Sequence, residues 1–147
     1  IHWKSKYRSI SEETTLNAGF EEGIAMVWSH PGLKIEDWEN ITSKKKGIVI
    51  AGTGLGHINS ELLDVIEKTS KDIPVAMSSQ CLSGSTNLNV YRNGRKLLER
   101  GVVETYDMSP ETALVKMMWL SKHHRENVRT MMGENLVGEI SDSRKLI

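Results

Sequence analysis

The sequence predicts an α/β domain, a three-layer α/β/α sandwich around a mainly parallel sheet of about four strands. Short β-rich runs alternate with longer amphipathic stretches, the order expected when strands are joined by helical crossovers. The first three runs are nearly continuous in apolar residues, as strands covered by helices on both faces must be. They then turn polar, and "AGTGLGH", "SSQCLSG" and "YDMSPE" fall where such strands leave the sheet, the edge at which ligands collect in folds of this kind.

The opening "IHWKSKYRSISEETTLNAG" is polar, rich in Ser and Thr, and without helix or strand periodicity. Residues 1–20 read as a linker or tail from a preceding domain, and residues 21–147 as the domain itself. A start on Ile1 rather than Met suits a domain cut from a longer polypeptide and equally suits trimming. From Ile24 the pattern is regular. "IAMVWSH" (24–30), "GIVIAG" (47–52) and "PVAMSSQ" (74–80) are strands, and "VVETYDM" (102–108) is a weaker one. Between Ile58 and Lys71, the residues Ile58, Leu62, Leu63 and Ile66 recur at helical spacing, with Asn59 or Ser60 as cap and Glu61 near the positive end of the dipole. Asn87 to Arg100 reads as a second helix, with Leu97 and Leu98 as its stripe and Gly101 as its stop, although Gly94 inside it costs about 1 kcal/mol relative to alanine. Ser109-Pro110-Glu111 opens a third that runs through Leu114, Met117, Met118 and Leu120, and a last helix covers Arg125 to Asn135. Met117, Met118 and Trp119 read as core packing.

Composition narrows the function classes. A 38% hydrophobic and 26% charged content is that of an ordinary globular domain, and 147 residues have room for one core. Nineteen Lys and Arg balance nineteen Asp and Glu, so no global basic field attracts nucleic acid. Cys81 is the only cysteine, which excludes an internal disulfide and a cysteine-based metal cluster and fits a reducing compartment. No apolar run approaches the ~18 residues that span a bilayer, and no signal peptide is visible, so the expected location is the cytoplasm.

The glycines of "AGTGLGH" raise a phosphate site first. Their spacing, Gly52, Gly54 and Gly56, meets neither the dinucleotide fingerprint nor a Walker loop, which leaves a sharp turn or a loop that approaches another ligand. Adjacent His123 and His124 project about 100° apart on a helix, unlike ligands of one ion, and suit a solvated helix end. Thr53, Ser78, Ser79 and Cys81 are the nucleophile candidates at strand ends, with His57 as a possible base. No elbow motif surrounds them, and Cys81 reads as a small buried packing residue. No catalytic residue and no metal ligand is assigned.

Taken together, "KGIVIAGTGLGHI", "MSSQCLSGSTNLNVY", "GRKLLERGVVETYDMSPETALVKMMWL" and "ENLVGEI" resemble, in order and spacing, the C-terminal domain of the asparaginase family. The resemblance covers about residues 20 to 141 and is greatest to the D subunits of archaeal glutamyl-tRNA(Gln) amidotransferases. The chain departs from their pattern at Ala51, Ser78, the "GST" at 84–86 and Ser109. The resemblance implies a flavodoxin-like topology and an amidase whose nucleophilic Thr, second Thr, Asp and Lys lie in an N-terminal domain outside this chain. It implies a homodimer, a partner E subunit that uses ATP and alone contacts the tRNA, no cofactor in this domain and no membrane. By position, His57 falls where related asparaginases carry an Asn that touches the substrate's α-amino side from the neighbouring subunit, and Tyr91 falls near a second such place. With Gly54 and Gly56, these form the expected substrate-binding set. Two other readings stand beside it: the C-terminal domain of a cytoplasmic L-asparaginase, and a non-catalytic dimerisation or ligand-sensing module.

Overall fold

The computed structural model describes residues 15–141. Most of the expected linker, residues 1–14, lies outside them. Residues 15–20 form neither helix nor strand. Four strands, β1 (Ile24–Trp28), β2 (Gly47–Gly52), β3 (Val75–Ser79) and β4 (Val102–Glu104), make one wholly parallel sheet in the order β1-β2-β3-β4. Each step therefore needs a crossover, supplied by α1 (Ile35–Thr42), α2 (Leu63–Asp72) and α3 (Arg92–Glu99). Because the order always advances in one direction, crossovers of one hand place all three helices on the same face. Trp38, Leu63, Ile66 and Leu97 pack there against Val27, Ile48, Ile50, Val75 and Met77.

After β4 the chain turns under the sheet. The helices α4 (Pro110–His123) and α5 (Val128–Met132) cover the second face, where Ala113, Met117, Leu120, Val128 and Met132 meet Val49 and Ala76. The alternation of Ile48 and Ile50 against Val49 is the two-residue period of a strand, and all six residues of β2 are buried. These are the three layers and the parallel strands that the sequence implied.

Several boundaries differ from expectation for local reasons. Helix α1, which is not among the elements expected from the sequence, buries only Trp38 of its apolar residues Ile35, Trp38 and Ile41, and Trp38 is anchored by its indole N–H to Thr69 Oγ1 at 2.9 Å. The helix expected from Asn87 starts at Arg92, because Tyr91 before it is extended at φ −110° and ψ 153°, while Asn87 and Leu88 donate their N–H groups to acceptors on distant elements. Ser60–Leu62 forms a 3-10 turn before α2, capped by Asn59 Oδ1 on the Glu61 amide at 3.2 Å. Ser109 caps α4 through Thr112 N at 3.2 Å, as its sequence position predicts. The last helix divides into a 3-10 turn, Arg125–Asn127, and α5, which stops at Gly133.

Gly94 turns out to be required by packing. A Cβ there would overlap the carbonyl oxygen of Leu88 and come within 2.9 Å of its carbonyl carbon, and backbone cannot yield cheaply. An alanine at an ordinary helix glycine gains about 1 kcal/mol. Here Gly94→Ala is expected to destabilise the domain by about 1–3 kcal/mol in denaturant titration, and a stabilised variant would contradict this packing.

On the second face Lys116 and Glu139 form an ion pair at 2.6 Å with both side chains largely out of solvent. Lys116 also donates to the carbonyls of Met132 and Glu134, while Glu139 accepts the amides of Leu136 and Val137, so the pair ties the segment after α5 to α4. Burial alone would raise the Glu139 carboxyl, but the Lys116 ammonium and the amides of Val137, Glu139 and Leu136 outweigh it and hold the group down from 4.5 to about 2. A depressed folded-state value means stability fully present above pH 4.5 and lost as pH falls through about 2. Glu139→Gln should therefore show a shallower loss of stability than the parent between those limits. Equal acid limbs would exclude the ion pair as a determinant.

Candidate functional site

The carboxyl end of β2 passes directly into a narrow turn. Thr53 N donates to His57 O at 2.9 Å, while Gly56 N and His57 N donate to Thr53 O at 3.0 and 2.8 Å. Two left-handed positions make this closure possible, Gly54 at φ +53° and Gly56 at φ +101°. They differ in surroundings. Gly54 sits exposed with open space about it, whereas Gly56 is buried, and a Cβ there would lie 2.8 Å from Leu88 Cδ2 and 3.0 Å from Met77 Cγ. Three N–H groups of the turn are consumed within it, so they are not presented to a phosphate.

The loop after β3 braces this turn. Ser79 Oγ donates to Gly54 O at 2.6 Å, and Gln80 Nε2 donates to the carbonyls of Ser29 and Ala51, both at 2.7 Å, which joins the ends of β1, β2 and β3. Ser78 Oγ donates to Met108 O at 2.6 Å. Ser78 and Ser79 are thus buried hydroxyls bonded to backbone carbonyls, a structural arrangement rather than that of an activated nucleophile. Cys81, expected to be buried packing, is instead exposed, because the chain has already left the sheet at Gln80.

A third strip, residues 86–91, closes the surface. Three consecutive amides cross to three places: Thr86 N to Tyr106 O at 2.8 Å, Asn87 N to Leu55 O at 3.0 Å, and Leu88 N to Glu104 Oε1 at 3.0 Å. Tyr91, at the N-cap of α3, is thereby brought to His57. Their rings meet edge to face, with centroids 4.8 Å apart at 61°. Tyr91 is 53% exposed, so the pair stands at the surface with the imidazole nitrogens and the phenol as polar tips. Of the expected set, Gly54 forms the turn's outer edge, His57 and Tyr91 come together, and Gly56 lies beneath them as the contact that seats the turn.

Sequence reasoning did not single out Gln80, Leu88 or Glu104. The signal for Glu104 was a carboxylate directly after two valines in a strand, which also suits a plain strand end. His123 and His124 lie at the end of α4, and both rings pack against Trp119 at 5.1 Å. His123 Nε2 is 3.1 Å from Gly19 O, and the Trp119 indole N–H donates to Asn17 O at 3.1 Å, which lays the incoming chain along this helix. Among the described residues, no three His, Cys, Asp or Glu side chains gather as metal ligands, and no helix is long and apolar enough to cross a membrane.

The fold and its site define an α/β domain with a parallel sheet and braced loops at the carboxyl ends of its strands. The chain belongs to the Glutaminase/Asparaginase C-terminal domain family, which it matches over residues 23–132, from just before β1 to the end of α5. It is 44% identical over 145 residues to the D subunit of the glutamyl-tRNA(Gln) amidotransferase of Saccharolobus islandicus, an alignment that covers 95% of this chain and 33% of that protein. The chain thus spans about a third of the length of the curated relatives it matches. Among solved structures, the thermostable L-asparaginase from Thermococcus kodakarensis superposes with a TM-score of 0.86 at 34% identity, over 94% of this chain and 44% of that one. L-asparaginase I from Vibrio cholerae gives 0.79 at 30% identity, over 89% and 41%.

The two glycines of the turn should respond differently to alanine. At Gly54 only the left-handed conformation opposes a side chain, a cost of about 1 kcal/mol. At Gly56 strain and overlap with Leu88 combine to about 3 kcal/mol. Equal losses in thermal or denaturant unfolding would contradict the seating of Gly56 on Leu88.

Proposed function

We propose that this chain is the C-terminal domain of the amidase subunit of a glutamyl-tRNA(Gln) amidotransferase. In this reading the domain completes the wall of a pocket in which glutamine or asparagine is hydrolysed. The His57–Tyr91 pair carries the proposal: two polar aromatic tips, held at the strand ends by a glycine turn, suit hydrogen bonding to an amino-acid head group. The nucleophilic threonine and its assistants belong to an N-terminal domain, and residues 1–20 are the tail that leads in from it. Ammonia then passes to an E subunit that uses ATP and holds the tRNA, in the cytoplasm. The zero net charge supports leaving the tRNA to that partner.

Trp28, Leu82, Val90 and Tyr91, all exposed near the carboxyl ends of the strands or in the loops that follow them, support a surface covered by a second copy in a homodimer. A second reading, the C-terminal domain of an L-asparaginase acting on the free amino acid, draws on the close superposition with the Thermococcus enzyme.

The full-length gene product is the material for the test. His57→Ala is expected to lower kcat/KM for glutamine-dependent ammonia release about tenfold, the effect of losing one hydrogen bond of about 1.4 kcal/mol, with the fold intact. Unchanged kinetics would reduce His57 to a turn residue. The 147 residues alone should release no ammonia from glutamine or asparagine, and measurable release would overturn the division of roles.

A further inference from the structure

We infer that Glu104 is a positioning residue for the His57–Tyr91 pair, acting through the backbone amide of Leu88. The inference rests on the amidase reading above and adds to it the element that sets the geometry of head-group recognition. Glu104 ends β4 and is only 7% exposed. A carboxylate is costly at such a place unless it is bonded, and Oε1 accepts Leu88 N–H at 3.0 Å.

The strip from Thr86 to Leu88 explains why a side chain is used. Its first two amides find backbone carbonyls, Tyr106 O and Leu55 O, whereas the third meets the side chain of Glu104. That third bond is therefore the one set by residue type. It acts on the residue that matters most for the surface. The side chain of Leu88, 1% exposed, fills the space that Gly56 leaves, and its carbonyl lies against Gly94 at the start of α3. Fixing Leu88 thus fixes the turn that carries His57 on one side and the entry to α3, where Tyr91 sits, on the other.

The test uses steady-state glutamine hydrolysis by the full-length protein, with unfolding temperature measured alongside. Glu104→Leu, which removes the acceptor, is expected to raise KM for glutamine about fivefold with kcat within about twofold. Glu104→Gln, whose amide oxygen can accept the same N–H, should restore KM to within about twofold of the parent. Glu104→Asp, shorter by one methylene, should raise KM by an intermediate factor and keeps the test decisive if the leucine variant does not fold. In a His57→Ala/Tyr91→Ala background, where neither ring is left to position, replacing Glu104 should add no further increase. The inference is overturned if KM is unchanged in the Leu and Asp variants while Tyr91→Ala raises it, if Gln fails to restore it, or if replacing Glu104 still raises KM when both His57 and Tyr91 are alanine. If His57→Ala and Tyr91→Ala themselves leave KM unchanged, the amidase reading fails and the inference falls with it.

Discussion

Leu88 sits where four elements of the strand-end surface converge, and the space it occupies exists only because two glycines face it. Its side chain lies on Gly56, its carbonyl lies on Gly94, and its amide is held by Glu104. Full burial of a leucine is worth about 1.5–3 kcal/mol, but its placement has a larger consequence than that figure. The turn at 53–57 closes on itself through the Thr53–His57 pair and meets the strip at 86–91 through Asn87 N on Leu55 O, and Leu88 is the buried side chain packed between the two. A surface ordered in this way before a ligand arrives lowers the entropic cost of binding.

The rest of the molecule separates support from recognition. The sheet is an apolar partition with β2 buried throughout, and each face is closed by its own set of helices. Polar residues concentrate where the strands end, and the side chains of Ser78, Ser79 and Gln80 there are bonded to backbone carbonyls. Such a surface is suited to holding shape rather than to bond-breaking chemistry. Function on a common α/β scaffold resides in what its loops carry, and here they carry two aromatic rings with polar tips.

Much of this was legible in the sequence. The first three strands stand out by their nearly unbroken apolar runs, the three-residue β4 less so, and α4 announces itself through Ser109 and Pro110. Helix α1 was not legible, since Ile35, Trp38 and Ile41 span only two turns of an eight-residue segment, too short for the period to stand out. Residues 87–91 invite a helical reading that fails because Asn87 and Leu88 are held to Leu55 and Glu104, partners that no local pattern encodes, and Tyr91 is extended. Gly94 looked like a blemish for the same reason: the carbonyl that requires it lies outside the helix. His57 and Tyr91 were singled out by family resemblance, and only the folded chain shows that their rings touch.

The central claim is that this surface faces a bound amino-acid amide. A crystal structure of the full-length protein with glutamine, or an unreactive analogue, trapped in the amidase pocket tests it most directly. The account predicts a polar atom of His57 or Tyr91 within about 3.2 Å of the ligand's α-amino or α-carboxylate group. Glutamine bound with both rings turned to open solvent would contradict it.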